Sequence, residues 1–154
     1  MRQDSETRPN PTVAETTGST VVARVVETPQ LEPFAVEFQR RAHITIVQPR
    51  GELDIATVET LSSSLDDAVA ETLRAASDGL ENPARLVLDL RGLSFIDSNG
   101  LHLLLALDER ARRDGFQLTL LAPAPPIDRA IQLCGLDHVL PFAAPDDALV
   151  GATG

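Results

Sequence analysis

The 154-residue chain contains no lysine, and all thirteen of its basic residues are arginine. The absence of lysine excludes a Schiff-base lysine, a lysine general base and the lysine of a phosphate-binding P-loop. Tryptophan and tyrosine are also absent, and phenylalanine occurs only five times. Because 43% of the residues are hydrophobic, the chain has enough apolar surface for a core, which must be largely aliphatic.

Cysteine is scarce as well, since Cys134 is the only one. A single thiol excludes an intrachain disulfide and a multi-cysteine metal site, which fits a reducing cytoplasm. The polar start, MRQDSETRPN, does not resemble a signal peptide, and no apolar run approaches the length of a membrane span. We therefore expect a soluble cytoplasmic protein.

Negative charge, by contrast, is abundant. With 23 acidic and 13 basic residues, the formal net charge is −10. A chain this acidic repels nucleic-acid phosphates and anionic lipid surfaces, so neither is expected as a partner. The charge suits instead a protein partner that has a basic surface.

The composition divides the chain into three parts. Residues 1–33 are rich in Pro, Thr, Ser and Glu, which favours a flexible N-terminal extension. Within it, the segment TVVARVVET (20–28) is apolar enough to offer an alternative, an edge strand. We expect a folded domain over residues 34–150 and a short tail over residues 151–154.

Hydrophobic periodicity predicts an α/β domain. Alternating apolar residues indicate a hairpin of two strands at 34–39 and 44–49, and an amphipathic pattern indicates a helix over 56–77. The later predicted elements are a buried strand (85–90), a helix from Ser98 to Asp114 ended by Gly115, a strand (117–122), a helix (123–135), a strand (138–143) and a terminal helical turn (145–150). This order predicts a mixed, mostly parallel sheet of four to five strands packed with about four helices.

The segment FIDSNG (95–100) places one hydroxyl, that of Ser98, where a strand passes into a helix. A hydrolase nucleophile needs small residues around this turn, as in G-x-S-x-G, but Ile96 stands two residues before Ser98. Two roles stay open for Ser98, a helix cap and a phosphoacceptor. If Asp97 is the cap, the Ser98 hydroxyl is exposed at the start of the helix. Asn99 and Gly100 would then allow another backbone to approach closely.

Other chemistry has little support. The chain contains neither a P-loop sequence nor G-x-G-x-x-G, and a receiver domain that is phosphorylated on aspartate would need a lysine. The three histidines, His43, His102 and His138, show neither metal-ligand spacing nor a catalytic partner motif. We therefore predict no catalytic residue, no metal site and no cofactor, and a protein that is not an enzyme.

Three segments in order resemble the STAS domain of bacterial anti-sigma factor antagonists. They are GELD (51–54), LVLDLRGLSFIDSNGL (86–101) and PPIDRAIQLCGLDHVLPFA (125–143). The resemblance covers about residues 34–150 and implies the STAS fold.

The resemblance also implies a function. In that family a partner anti-sigma factor, which is a serine kinase that binds ATP, phosphorylates the serine of this turn, and a serine phosphatase removes the phosphate. Carried over, Ser98 is the phosphoacceptor, and the unphosphorylated protein binds the kinase and releases a sigma factor for transcription. The residues expected to contact the partner are Asp54, Asp97, Ser98, Asn99, Gly100 and His102, the last at a position where the family often has glycine. An alternative within the family is a non-switching scaffold or a subunit of a transport system.

Overall fold

A computed structural model of the protein describes residues 13–16, 19–26, 33–77 and 84–149. Within these ranges the strands are β1 (Val13–Thr16), β2 (Ser19–Val26), β3 (Phe34–Arg41), β4 (Ile44–Leu53), β5 (Arg85–Asp89), β6 (Leu93–Ile96), β7 (Gln117–Leu121) and β8 (Phe142–Ala143). The helices are α1 (Val58–Ser77), α2 (Ser98–Asp114), α3 (Pro125–Leu133) and α4 (Pro145–Ala148), and short 3-10 turns occupy Leu90–Gly92 and Leu136–His138. No helix of this described part is both long enough and apolar enough to cross a membrane.

The strands form one mixed sheet in the order β1-β2-β3-β4-β5-β7-β8, and β6 pairs separately with β4. The pairs from β1 to β4 are antiparallel, whereas β4, β5, β6, β7 and β8 pair in parallel. Strand β4 changes neighbours along its length: Ile44 to Val47 pair with β5, and Gly51 to Leu53 pair with β6 after a register irregularity. Gly51 makes this bend with a φ of 99°, a conformation that favours glycine.

Different helices pack against the two faces of the sheet. One face packs against α1, α2 and α3 and forms the main core, which is mostly aliphatic, as the composition predicts. The opposite face carries a smaller cluster of Ile44, Ile46, Val87 and Leu121, which packs against Ala148 of α4. Neighbouring residues such as Ile46 and Val47 belong to different clusters because successive side chains of a strand point to opposite faces.

The α/β fold with a mixed sheet and four helices confirms the prediction, and α2 begins at Ser98 and ends at Asp114 as expected. Gly115 ends it with a φ of 82°, the left-handed conformation of a helix C-cap. The sheet has more strands than the four to five predicted. One of the extra strands is β6, whose four residues lie within the segment that joins the predicted strand at 85–90 to α2.

The other extra strands, β1 and β2, lie within residues 1–33, for which composition favours a flexible extension. Here the structure has strands: β2 overlaps the alternative strand at 20–28 and pairs antiparallel with β3 from Val22–Phe38 to Val26–Phe34. It is not the expected edge strand, however, because β1 pairs with its other side. The β-branched residues of β2 favour a strand, and their pairing satisfies the outer edge of β3. Residues 1–12, 17–18, 27–32, 78–83 and 150–154, which include the predicted tail at 151–154, lie outside the described residues. The domain limits at 34 and 150 stay a prediction.

Candidate functional site at the start of helix α2

The predicted site residues follow two paired strands. Strands β4 and β6 run parallel with Leu53 opposite Ile96, so Asp54 and Asp97 leave the sheet at the same edge. The backbone N–H of Asp97 donates a hydrogen bond to the carbonyl oxygen of Leu53 at 3.1 Å. The structure therefore brings together the two acidic turns that the sequence separates by more than forty residues.

Asp97 is the N-cap of helix α2. Its backbone is extended, and its carboxylate oxygen Oδ1 accepts hydrogen bonds from the backbone N–H groups of Asn99 at 2.9 Å and Gly100 at 3.1 Å. The Asn99 side-chain amide donates to the other oxygen, Oδ2, at 3.3 Å. Because these donors would otherwise be unpaired at the helix end, Asp97 stabilises the start of α2, and Ser98 is left as its first residue.

The same hydrogen bonds control the ionisation of Asp97. Desolvation raises the pKa of Asp97, but the hydrogen bonds from the backbone of Gly100, from the side chain and backbone of Asn99 and from the backbone of Ile55 outweigh it. The pKa of Asp97 therefore lies below its usual value. A carboxylate fixed by four donors is ionised at neutral pH and adds negative charge directly beside Ser98.

Ser98 is exposed, and no hydrogen bond involves its hydroxyl group within the described part of the chain. His102 lies one turn further along α2 and is exposed as well. Residues four apart on a helix share a side, so His102 borders the surface that presents Ser98. Asn99, between them, is partly buried beside Asp97.

Gly100 does not lie on the open surface of the turn, where the sequence predicted that another backbone could approach it. It is buried, and a Cβ atom there would lie 2.6 Å from Cγ1 of Ile96 and 2.9 Å from Cγ and Cδ2 of Leu53. The close approach that Gly100 allows is thus between α2 and its own strands β4 and β6. Gly100 therefore lets α2 pack closely on β4 and β6 beneath the site, and it is not exposed to another backbone.

Asp54 forms the second acidic turn. Its Oδ1 accepts a hydrogen bond from the backbone N–H of Ala56 at 2.9 Å, and its own backbone N–H donates to Oγ1 of Thr57 at 3.0 Å. The buried Thr57 hydroxyl donates in turn to the carbonyl oxygen of Glu52 at 2.7 Å. This network fixes the passage from β4 into α1 and leaves Asp54 partly exposed at the surface.

Ile55 is a feature of the site that sequence reasoning missed. Its side chain is 74% exposed, while its backbone N–H helps to lower the pKa of Asp97. Ile55 belongs to the Asp54 turn and lies next to Asp97, so a partner that contacts the Ser98 surface would also meet this apolar side chain. The sequence did contain a signal for this exposure. Ile55 directly follows GELD, in the connection between a strand and a helix, and so belongs to neither of the elements that bury apolar side chains.

The other two histidines lie apart from this arrangement in the fold. His43 belongs to the turn between β3 and β4, at the end of β4 opposite Asp54. His138 lies in the second 3-10 turn, where its Nε2 is 3.5 Å from Oδ2 of Asp137. The site thus combines one free hydroxyl, two carboxylates, an exposed isoleucine and the imidazole of His102.

Comparisons with known proteins place this geometry in a family. Residues 35–147 match the model of the STAS domain. An anti-sigma-F factor antagonist of Mycobacterium tuberculosis, RsfA, is 29% identical over 126 residues, which cover 82% of this chain and 92% of that protein. A second, RsfB, from the same organism is 30% identical over 112 residues, which cover 72% of this chain and 83% of that protein.

The fold agrees with a solved structure. The crystal structure of an anti-sigma factor antagonist from Mycobacterium paratuberculosis superposes with a TM-score of 0.64 at 26% sequence identity. The superposition covers 84% of this chain and all of that chain. Together with the domain match and the sequence relatives, it shows that this chain belongs to the STAS-domain family of anti-sigma factor antagonists.

Proposed function

We propose that this protein is an anti-sigma factor antagonist whose partner is a serine kinase. In its unphosphorylated form it binds the anti-sigma factor kinase, and the sigma factor that the kinase had held is released for transcription. The kinase then transfers the γ-phosphate of its bound ATP to Oγ of Ser98, which loses its proton as ADP leaves. The phosphorylated protein dissociates, and a serine phosphatase restores the hydroxyl.

The observation that carries this proposal is the presentation of Ser98. Its hydroxyl is exposed at the first position of α2 and has no hydrogen-bond partner among the described residues, while Asp97 performs the capping. A serine needed for capping would be tied to the backbone and poorly available to a kinase. Ser98 is instead held on a rigid helix start with its hydroxyl free to react.

Phosphorylation changes the surface more than it changes the domain. A phosphate adds about −1.5 to −2 charges at neutral pH. The N–H groups of Asn99 and Gly100 are already bound to Asp97, so the phosphate projects from the surface and is stabilised chiefly by the helix dipole. The fold has no reason to rearrange, and the added charge meets the partner directly.

The added phosphate charge would lie next to two carboxylates on the surface that the partner contacts. Asp97 is hydrogen-bonded in its ionised form, and Asp54 lies on the neighbouring turn. A kinase surface that packs against the neutral hydroxyl and the exposed side chain of Ile55 would have to accommodate a charged phosphate in place of the hydroxyl, while the Ile55 side chain stays where it is. Enclosing a charge without a partner in a contact that fitted a neutral hydroxyl costs several kcal/mol of desolvation free energy, which is enough to separate the two proteins.

Phosphopeptide mapping by mass spectrometry tests the proposal. The purified protein and two variants, Ser98→Ala and Ser94→Ala, are each incubated with ATP and extract from the source cells. Ser94 is a matched control because it is an exposed serine only four residues away, on β6. We expect phosphate on Ser98 in the wild type and in Ser94→Ala, and none at this peptide in Ser98→Ala.

An unphosphorylated Ser98 in an extract whose kinases are active would reject the switch. The protein would then be better described as a non-switching STAS scaffold or transport-system subunit. Phosphate on Ser94 instead of Ser98 would assign the modification to β6 and also reject the role proposed for the α2 start.

A further inference from the structure

A second polar site lies on the face of the sheet opposite α1 and α2. It is a cleft of about 160 Å³, with Gln39, Arg41, Ile46, Gln48, Asp89 and Arg91 among its lining residues. These residues come from β3, β4, the end of β5 and the 3-10 turn that follows it, and none of them belongs to the site at Ser98. The cleft is therefore a second candidate binding site, separate from the surface around Ser98.

A fixed ion pair forms one wall of the cleft. The Asp89 side chain is 6% exposed, and its carboxylate accepts two hydrogen bonds from the Arg91 side chain, from Nε to Oδ1 and from Nη2 to Oδ2, both at 2.9 Å. The Gln48 amide donates to Oδ2 at 3.0 Å. Burial raises the pKa of Asp89, but these hydrogen bonds outweigh it and hold the pKa below its usual value.

This arrangement leaves donors for a ligand. Asp89 and Arg91 neutralise one another, and the Arg91 side chain remains half exposed, at 49%, with N–H groups that Asp89 does not use. The buried carboxylate therefore fixes the guanidinium in position. An arginine held in this way loses little conformational freedom when it binds an acceptor.

Arg41 supplies the unbalanced charge. It is exposed, and it forms no ion pair with any side chain that the structure describes. The preceding residue, Arg40, projects to the other face of β3 and pairs with Glu71 of α1. With two guanidinium groups and one carboxylate, the cleft has a net charge of +1 in a chain whose formal charge is −10.

We propose that this cleft binds a small anion that contains a phosphate group. Arg41 would contact the phosphate oxygens, and Arg91 and the side-chain amides of Gln39 and Gln48 would donate further hydrogen bonds. Arginine matches phosphate geometry because it donates two parallel hydrogen bonds, and a phosphate offers more acceptor oxygens than a carboxylate. The inference is independent of the function proposed for Ser98.

A nuclear magnetic resonance titration of the full chain tests this site. Sodium phosphate is added at constant ionic strength, and the signals of the Gln39 and Gln48 side-chain amides and of the arginine Nε groups are followed. The wild type is compared with Arg41→Ala and with Arg40→Ala, which removes the same charge from the other face of the same strand. Arg91 is left intact because its loss would strand the buried Asp89 charge and endanger folding.

We expect saturable shifts at Gln39 and Gln48 in the wild type and in Arg40→Ala. Arg41→Ala should weaken the affinity by about tenfold or more, as the loss of charge-assisted hydrogen bonds predicts. Glycerol phosphate is titrated in parallel. Tighter binding than inorganic phosphate would assign the cleft to an esterified ligand, and equal binding would assign it to the free anion.

Three results would overturn the inference. The first is the absence of saturable shifts at Gln39 and Gln48 with either anion. The second is an affinity that falls equally in Arg41→Ala and Arg40→Ala, which would indicate only general charge attraction. The third is a set of shifts confined to residues 98–101, which would place the anion at the start of α2.

Discussion

The backbone N–H of Asp97 donates a 3.1 Å hydrogen bond to the carbonyl oxygen of Leu53, and this bond joins the Ser98 turn to the end of β4. On the other side of the same junction, Gly100 packs against the Leu53 side chain. The phosphoacceptor candidate is thus attached to the sheet by one hydrogen bond and one tight packing contact. The geometry of the site depends on both, and the packing contact can be tested by substitution of Gly100.

Gly100→Ala should destabilise the protein even though alanine favours helices. The new methyl group would meet Ile96 and Leu53 at 2.6 to 2.9 Å, and overpacking of this kind costs about 1–3 kcal/mol. Helix propensity returns about 1 kcal/mol, so we expect the free energy of unfolding to fall by up to about 2 kcal/mol. Urea denaturation followed by circular dichroism measures the change.

Ser98→Ala is the matched control for that substitution, because it places alanine on an exposed position of the same helix turn. Its effect on the free energy of unfolding should stay within about 0.5 kcal/mol. If Gly100→Ala were instead more stable than the wild type by the full helix-propensity gain, the contact between α2 and the two strands would be looser than the structure indicates.

Asp97 should make stability depend on pH in the acid range. Its pKa is lowered in the folded protein, so its contribution is fully present above the unfolded pKa of about 3.9 and is lost as the pH falls through the folded pKa. Asp97→Asn keeps a side chain that caps helices well but cannot titrate. The difference in unfolding free energy between wild type and Asp97→Asn should therefore shrink as the pH is lowered from 7 to below 4.

Chemical denaturation of both proteins at several pH values measures this difference. Asp89 also has a lowered pKa, but it is present in both proteins and cancels in the comparison. A difference that stays constant across the acid range would mean that the Asp97 carboxylate gains nothing from its hydrogen bonds in the folded state.

The limits of helix α2 were predictable because local chemistry sets them. Asp97 and Ser98 are good capping residues at one end, and Gly115 adopts the left-handed conformation at the other. Strand β6 was not predicted, because four residues with two exposed positions have too little pattern to distinguish a strand from a loop. Its pairing depends on the bend of β4 near Gly51, where the backbone passes so close to Phe34 that a Cβ atom would lie 3.2 Å from the Phe34 Cα.

Gly100 shows why part of the site lay beyond sequence reasoning. Its position after Asn99 suggested an open turn that a partner could approach. In the fold its free side is occupied by Leu53, which lies at the end of β4, forty-seven positions earlier in the chain. The cleft at Arg41 and Asp89 was hidden for the same reason, since its donors are brought together only by the pairing of β3, β4 and β5.

Ile55→Ala should weaken binding of the anti-sigma factor without affecting the fold. The side chain is 74% exposed beside the Asp97 turn, so its removal takes apolar contact from the proposed interface and leaves the core intact. Leu133→Ala is the control, because Leu133 is an equally exposed apolar residue, at 79%, on α3. Isothermal titration calorimetry with the purified anti-sigma factor should show a severalfold weaker affinity for Ile55→Ala and little change for Leu133→Ala.

Equal losses of affinity for Ile55→Ala and Leu133→Ala would indicate that the anti-sigma factor contacts both the Asp54 turn and α3. Binding that weakens only for Leu133→Ala would move it to α3 and away from the Ser98 turn.

Ser98→Glu should reduce affinity for the anti-sigma factor by about tenfold or more, because a negative side chain would meet the partner beside Asp97 and Asp54. Ser98→Ala should bind about as the wild type does, since alanine adds no charge to the contact and Asp97, not Ser98, caps the helix. Ser94→Glu adds the same charge on β6 and serves as the control. If calorimetry gave equal affinities for Ser98→Glu and the wild type, charge at the start of α2 would not govern partner release, and Ser98 would be only the first residue of a helix that Asp97 caps.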